Sequence, residues 1–221
     1  HGTTDVTENY SITAVAGTLT ITPVKLTITA QDKEFTYTGM EQSWPKYDVD
    51  GLIGSDAVDA VVTGGITLPS ESPVDNVVES YTFTRGSADN YTVSTVDGKL
   101  TMKKASQAIT ITAASDEWPY DGSAHENTEV KLTSGSLLTG DKLVAEASGS
   151  VTNVSDTADG NNPVLENYKV MHGETDVTDN YTITAVAGTL TINKLPVVLR
   201  TGSSEKYFDG TDIYNHELSI S

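Results

Sequence analysis

Hydrophobic and polar positions alternate along a stretch that the chain contains three times. The copies begin at Asn9, Asn90 and Asn180, so they start 81 and then 90 residues apart. In the third copy, Tyr181 and Ile183 alternate with threonines. Because successive side chains of a strand point to opposite faces of a sheet, this alternation is typical of half-buried β-strands.

The same stretch predicts a β-hairpin. In the third copy we expect strands at Tyr181–Thr184 and Thr189–Ile192, joined by a turn near Ala185–Gly188 or one or two residues earlier. Since glycine adopts positive φ without steric cost, we predict that a recurring glycine forms this turn or a bulge. It stands at the same offset in all three copies, as Gly17, Gly98 and Gly188.

Self-similarity at a long period indicates a tandem array of small modules. Residues 1–22 and 172–193 are identical at 18 of 22 positions, and alternating stretches at Val24–Ala30 and Ile109–Ala113 predict the opening strands of two complete repeats. We therefore divide the chain into the closing strands of a preceding repeat (1–22), two complete β repeats (23–104 and 105–194) and the opening strands of a following repeat (195–221). The chain starts without Met, and we expect it to be part of a longer protein.

The predicted fold class is all-β or nearly so, with small sandwich-like or β-grasp-like modules in an elongated array. The chain has no cysteine, so packing rather than disulfide bonds must hold each module together.

The charge balance narrows the possible partners. Thirty-one acidic residues outnumber 13 basic ones, which gives a net charge of −18. Phosphate backbones and anionic membrane surfaces attract clustered Lys and Arg, so we expect no nucleic-acid partner. No apolar stretch is long enough for a membrane span, so no membrane insertion is predicted. The acidity is interpreted as a property that keeps a surface-exposed array soluble.

Two short motifs recur in both complete repeats. An aromatic-x-Gly step occurs at Tyr37–Gly39 and Tyr120–Gly122, and a turn ending in aspartate occurs at Leu52–Asp56 and Leu137–Asp141. For the two aspartates we predict that the carboxylate caps the turn.

These motifs precede Asp-Val-Thr-Asp-Asn-Tyr at Asp176–Tyr181 and Gly-Thr-Leu-Thr-Ile at Gly188–Ile192. In this order they resemble the MBG-type tandem repeats of bacterial (Firmicutes, mucin-binding-type) cell-surface adhesins. The middle copy departs from the pattern, because Gly86–Tyr91 reads Gly-Ser-Ala-Asp-Asn-Tyr.

The resemblance implies an extracellular protein of the bacterial cell surface or cell wall. Its implied role is a structural stalk or fibre segment that spaces a binding head from the cell wall, without catalysis or a cofactor. The implied partners are neighbouring repeats of the same protein, host mucin or glycans, and like chains in a fibre. Two alternatives remain open: a glycan- or mucin-binding module acting through loop aromatics, and an accessory domain of a secreted carbohydrate-active enzyme.

Several aromatic residues are candidates for a binding role. Trp44 and Trp118 stand beside prolines in predicted loops, and with Tyr120 they are the candidate sugar-stacking residues. The tyrosines of the repeated stretch are instead expected to fill the core, with the hydroxyl reaching backbone: Tyr10, Tyr91 and Tyr181.

Candidates for metal binding or catalysis are weak. The oxygen-rich run Asp156–Glu166 lacks the ligand order of a calcium loop and has no counterpart in the first repeat. His1 and His172 are one repeated position, and no histidine pair has metal-ligand spacing. Neither a nucleophile elbow nor a phosphate-binding glycine loop is present, so no catalytic residue and no metal site are predicted.

Overall fold

The computed structural model of the chain describes residues 2–221, so the prediction for His1 lies outside the described residues. The protein is nearly all-β, as predicted: 45% of it is strand, arranged as several small sheets that form separate modules. Within residues 2–221, helical geometry is confined to five 3₁₀ turns of three residues each, at Thr7–Asn9, Pro69–Glu71, Ala88–Asn90, Val154–Asp156 and Thr178–Asn180.

The strands of the first complete repeat form two sheets, with orders β3-β1-β6 and β2-β7-β5-β4. They are β1 Val24–Ala30, β2 Lys33–Thr36, β3 Tyr47–Asp50, β4 Ala57–Thr63, β5 Val74–Arg85, β6 Tyr91–Val96 and β7 Gly98–Lys103.

The strands of the second complete repeat form four smaller sheets, with orders β11-β8-β16, β10-β13, β12-β14-β15 and β17-β9. They are β8 Gln107–Ala113, β9 Asp116–Pro119, β10 His125–Glu126, β11 Val130–Ser134, β12 Asp141–Val144, β13 Ser150–Val151, β14 Lys169–His172, β15 Thr175–Asp176, β16 Tyr181–Val186 and β17 Leu190–Asn193. A further antiparallel pair joins β18 Leu199–Thr201 to β19 Leu218–Ile220.

The chain divides into two compact units. The first comprises residues up to Glu34, with Gln42–Ile66 and Ser72–Thr101. The second comprises Phe35–Glu41, Thr67–Glu71 and everything from Met102 onwards. Two short internal pieces of the first complete repeat, among them the Tyr37–Gly39 step, and its last residues 102–104 therefore belong to the second unit.

The opening strands carry the alternating pattern into the core. In β1, Leu26, Ile28 and Ala30 are buried and the threonines between them are half-buried. Strand β8 repeats this pattern residue for residue. In the first unit, Ile28 and Ala30 pack with valines of β4 and β5, and partly buried side chains such as Tyr47 cover them. In the second, one core cluster comprises Leu190 and Ile192 of β17 with Val151.

The predicted hairpin is wrong. Strand β16 pairs in parallel with β8, whereas β17 pairs in parallel with β9 in a different sheet. In the first repeat, β6 likewise pairs in parallel with β1, and β7 lies in the other sheet. In both complete repeats the repeated stretch therefore crosses from one sheet to another instead of turning back on itself. In the second repeat both of its halves find parallel partners, β8 and β9, at the start of the repeat.

The glycine between the two halves has a different function from the one predicted. Gly98 and Gly188 are absent from the glycines with positive φ. A Cβ at Gly188 would lie 2.6 Å from the carbonyl oxygen of Ala113 and closer still to that of Ala114. At Gly98 a Cβ would lie 2.5 Å from the oxygen of Ala30. Glycine is thus required because the crossing backbone passes against the end of the opening strand.

The first copy of the stretch forms no strand. Residues 10–23 have no regular secondary structure, and Tyr10, Ile12 and Leu19 are exposed. A Cβ at Gly17 would meet nothing within 4 Å. The opening strands β1 and β8 each already pair with their own closing strand, β6 and β16. Within residues 2–221 this copy therefore has no parallel partner, and without one its alternation does not produce a strand.

Candidate functional site

The second unit contains a buried carboxylate. The side chain of Asp141 is fully buried. Its Oδ2 accepts a hydrogen bond from Tyr181 Oη at 2.5 Å, and its Oδ1 accepts one from Tyr37 Oη at 2.6 Å. His172 Nδ1 lies 2.7 Å from the same Oδ1. We refer to Tyr37, Asp141, His172 and Tyr181 as the tyrosine–aspartate cluster.

The local fold explains how Asp141, His172 and Tyr181 come together. Asp141 is the first residue of β12 and pairs with His172 at the end of β14. Tyr181 is the first residue of β16, and its hydroxyl accepts a hydrogen bond from the backbone N–H of Leu138 at 2.9 Å. The Tyr181 hydroxyl therefore links strand β16 to the segment Leu137–Asp141, because it donates to the Asp141 carboxylate and accepts from the Leu138 N–H.

Tyr37 reaches the cluster from the loop that follows β2. Its backbone N–H donates to the oxygen of Lys103 at 3.0 Å, and only 1% of the residue is exposed. Two residues later, Gly39 has φ +75° and approaches the backbone of Thr139 so closely that a Cβ would overlap it. A side chain at Gly39 would therefore keep Tyr37 out of the cluster.

Burial and charge keep both tyrosines protonated. Desolvation, followed by the hydrogen bond to Asp141, raises the pKa of Tyr37 far above its usual value. The same two effects raise the pKa of Tyr181, against a smaller lowering by the Leu138 N–H. Both hydroxyls therefore remain hydrogen-bond donors to the Asp141 carboxylate.

Alkaline pH should therefore destabilise the second unit. The tyrosines of the unfolded chain ionise near pH 10, while those of the folded cluster have a raised pKa. Their contribution to the unfolding free energy is therefore complete below about pH 10 and is lost as the pH rises above it. In Tyr37→Phe we expect a shallower fall of the unfolding free energy, measured by urea unfolding between about pH 8 and pH 11. Tyr207→Phe, at an exposed position, is the control and should follow the wild type. A Tyr37→Phe profile parallel to the wild-type profile would contradict this assignment.

The first unit contains a simpler version of this site. Tyr91 Oη donates to Asp56 Oδ2 at 2.8 Å and accepts from the backbone N–H of Ile53 at 3.0 Å. Gly86, which has no side chain to donate a hydrogen bond, packs against the Asp56 carboxylate. Asp56 is half-buried, and among the described residues Tyr91 is its one side-chain hydrogen-bond partner. The structure thus places Tyr91 and Tyr181 in equivalent buried positions, while Tyr10 is exposed.

The candidate sugar-stacking residues lie in different surroundings. Trp44, in a loop of the first unit, is half-buried; its Nε1 donates to Gln31, and the Lys33 ammonium lies 4.6 Å from its ring centroid. Trp118 lies in strand β9, contrary to the predicted loop, because β9 pairs with β17. Its ring stacks on His125 at a centroid distance of 4.9 Å.

Tyr120 is the most exposed of these three candidates, at 41%. It lines an open depression of about 540 Å³ together with Val154, Lys194, Leu195 and Val197. Its hydroxyl has no hydrogen-bond partner in the described part of the second unit.

Side chains of the oxygen-rich run Asp156–Glu166 form hydrogen bonds with backbone groups. Asp156 Oδ2 accepts from the N–H groups of Thr152 and Asn153 at 2.9 and 2.7 Å, and these bonds lower the pKa of Asp156. Asn162 is fully buried, and its side chain donates to Ala114 O at 2.9 Å. No group of three or more potential metal ligands occurs in residues 2–221.

The sequence analysis overlooked two buried asparagines. Asn162 and Asn76 each donate through Nδ2 to two backbone oxygens and so tie separate segments together. In the sequence, each of these asparagines is followed two residues later by a valine, and this was the one feature that could have indicated them.

In the described part of the chain, no helix is long and apolar enough to cross a membrane.

Comparison with known proteins agrees with the resemblance in the sequence. Residues 26–101 match the MBG domain (YGX type), a non-catalytic repeat module that suggests a surface protein. No curated protein matches the chain significantly. The matched segment runs from Leu26 of β1 to Thr101 of β7, and so spans both sheets of the first complete repeat. The chain therefore carries an MBG domain of the YGX type in residues 26–101.

Proposed function

We propose that the chain is a structural segment of a bacterial cell-surface adhesin, in which successive repeats form a stalk that spaces a binding head from the cell wall. The observation that carries this proposal is the burial of Tyr37. A side chain that the sequence assigns to the first complete repeat is 1% exposed within the unit that contains the second.

This arrangement suits a load-bearing role. Tyr37 is held at its backbone by Lys103 and at its hydroxyl by Asp141. Ala105, just after β7, donates its backbone N–H to Asn180 Oδ1 at 3.0 Å, and Lys104 forms an ion pair with Asp179. Tension along the chain near Lys104 is thereby shared among several side-chain contacts within the second unit.

Force spectroscopy on the chain, held at Val24 and Asn193, tests the proposal. We expect Tyr37→Ala to lower the force at which the second unit unfolds, because it removes a buried ring and leaves Asp141 without one donor. Tyr120→Ala, which changes an exposed tyrosine at the matching motif position, should leave that force unchanged. Equal unfolding forces in wild type and Tyr37→Ala would count against a stalk held by this cluster.

A second candidate function is glycan binding through Trp44, Trp118 and Tyr120. The exposed Tyr120 ring beside an open depression favours it, since sugars stack on accessible aromatic faces. A glycan array and a gastric-mucin pull-down with the alanine variants of all three residues test this function. Tyr207→Ala, at another exposed aromatic, is the control. Saturable binding that Tyr207→Ala retains and a Trp44, Trp118 or Tyr120 variant loses would establish a binding module, whereas no binding by the wild type would reject it.

A further inference from the structure

The closing strands β6 and β16 are sheet edges that carry no charged residue. Strand β6 ends the order β3-β1-β6, and β16 ends the order β11-β8-β16. In residues 2–221, every other edge strand of four or more residues contains a charged side chain, except β17. Because the free backbone groups of an edge can pair with another chain, natural edges are usually protected by charges or prolines. Strands β6 and β16 lack both, although the chain has a net charge of −18.

Hydrogen bonds on the free side distinguish β16 from β17. Asn161 exchanges two hydrogen bonds with the backbone of Leu190, at 2.8 and 2.7 Å, and Thr157 Oγ1 accepts from the Ile192 N–H at 2.9 Å. Side chains therefore already occupy the edge of β17. In β16, the backbone groups of residues 182–186 that point away from β8 have no partner in the part of the chain that the structure describes.

A neighbouring repeat does not cover this edge. Strands β6 and β16 occupy equivalent places, since each pairs in parallel with the opening strand of its own repeat. Strand β6 remains an edge although a complete repeat follows it in the sequence, and β16 remains one although a complete repeat precedes it. The open edge is therefore a property of the repeat itself.

Strand β16 is suited to antiparallel pairing with its own copy. A pair centred on Ile183 places Thr182 of one copy opposite Thr184 of the other, and both threonines are exposed. Ile183 is half-buried and then meets Ile183 of the second copy. Beyond the strand, Asp179 comes opposite Ala187. No two like charges are therefore directly opposed.

The equivalent pairing of β6 is unfavourable. Centred on Val93, it places Asp89 of one copy opposite Asp97 of the other, and both aspartates are exposed. Like charges that stand directly opposite each other destabilise a pair of strands. The flanking aspartates therefore protect the edge of β6, whereas nothing comparable protects the edge of β16.

We propose that two copies of this chain form a dimer in which the β16 strands pair antiparallel around Ile183. The two three-stranded sheets then join into one six-stranded sheet. Main-chain hydrogen bonds supply the affinity, as in other cases where a strand is added to a sheet edge. Because the same surface serves both copies, the assembly closes at two and does not continue into a fibre. The inference does not rest on the stalk proposal.

Sedimentation equilibrium of the whole chain tests the dimer. The mean mass of the wild type should rise with concentration to that of a dimer and no further. Thr182→Asp combined with Thr184→Asp should weaken dimerisation at least about tenfold, because carboxylates then stand directly opposite each other. Thr92→Asp combined with Ser94→Asp changes the equivalent positions of β6 and should dimerise like the wild type.

Three results would overturn the proposal. They are a wild type that stays monomeric at about millimolar concentration, where even weak interfaces associate, a mass that grows beyond the dimer, and equal losses in the β6 and β16 variants.

A charge exchange and a measurement on the wild type guard against misfolding of the variants. Thr182→Lys combined with Thr184→Lys should also weaken self-association, and mixing it with the aspartate variant should restore dimers because opposite charges then face each other. In the wild type, hydrogen exchange in residues 182–186 should slow as the concentration rises, while exchange in residues 92–96 should not change. A mixture of folded variants that stays monomeric, or exchange in residues 182–186 that ignores concentration, would refute pairing through β16.

Discussion

Replacing Asp141 with alanine is expected to lower the unfolding free energy of the second unit by about 3 kcal/mol, since it leaves several buried polar groups unpaired. The hydroxyls of Tyr37 and Tyr181 and the His172 ring all lie within hydrogen-bond distance of this carboxylate. Both tyrosines are buried, so their hydroxyls have little access to water as a replacement acceptor.

Asp56→Ala is the matched variant in the first unit and should cost about 1 kcal/mol, the value of a single hydrogen bond at a half-buried site. Urea unfolding of both variants, followed by near-ultraviolet circular dichroism, measures the two losses. Asp141→Asn should fall between wild type and Asp141→Ala, because an amide keeps one acceptor oxygen. Equal losses in Asp141→Ala and Asp56→Ala would show that the additional partners of Asp141 contribute nothing.

Gly188→Ala is expected to destabilise the second unit by about 3 kcal/mol, because a methyl group forced against backbone that cannot rotate away shifts the main chain. The added Cβ would overlap the carbonyl oxygens of Ala113 and Ala114, at the end of the opening strand β8. Gly98→Ala should have a comparable effect on the first unit, where the overlap is with Ala30 and Gln31.

Gly17→Ala provides the control within nearly the same sequence. The flanking residues Ala14-Val-Ala-Gly-Thr-Leu-Thr-Ile21 are identical to those around Gly188, but a Cβ at Gly17 has open space around it. Its effect should stay within about 0.5 kcal/mol, as for most exposed positions. Thermal unfolding of the three alanine variants distinguishes two reasons for the glycine: a clash of any added Cβ with nearby backbone, or a backbone conformation that other residues rarely adopt. If Gly17→Ala and Gly188→Ala lost equal stability, the close approach would not be the reason for the glycine.

The alternating pattern was sufficient to predict individual strands but not their partners. Val24–Ala30 is a strand with the predicted bounds, and the predicted strand Ile109–Ala113 lies within β8, because side-chain alternation is a local property. Pairing is not local, and the short spacing between Tyr181 and Ile192 favoured a hairpin that the structure does not form. A parallel partner lies at the far end of the repeat, and nothing within the stretch itself indicates it.

The tyrosine–aspartate cluster was visible in the sequence only in parts. Tyr181 was correctly expected in a buried position. The prediction that the Asp141 carboxylate caps a turn is wrong, because Asp141 begins strand β12 and its carboxylate accepts from the buried hydroxyls of two tyrosines. Tyr37 was recognised only as the first residue of a recurring aromatic-x-Gly step, because its hydrogen bond to Asp141 is a tertiary contact between residues far apart in the sequence. The role of His172 is equally non-local, since it follows from strand pairing with Asp141.

Two nearly identical stretches of the chain differ in secondary structure, and this difference has a consequence for folding. Residues 10–22 and 181–193 differ at two positions, yet the second copy forms two strands and the first forms none. While a chain is being synthesised, an unpaired copy of this kind competes with the correct one for the opening strand β8, in the same chain or in another. Exchanged strands of this sort are a characteristic folding error of tandem repeats. The middle copy, Asn90–Lys103, differs in sequence from the other two copies, which should therefore compete less well with it for pairing with β1. Sequence differences between adjacent repeats thus favour pairing of each closing strand with the opening strand of its own repeat.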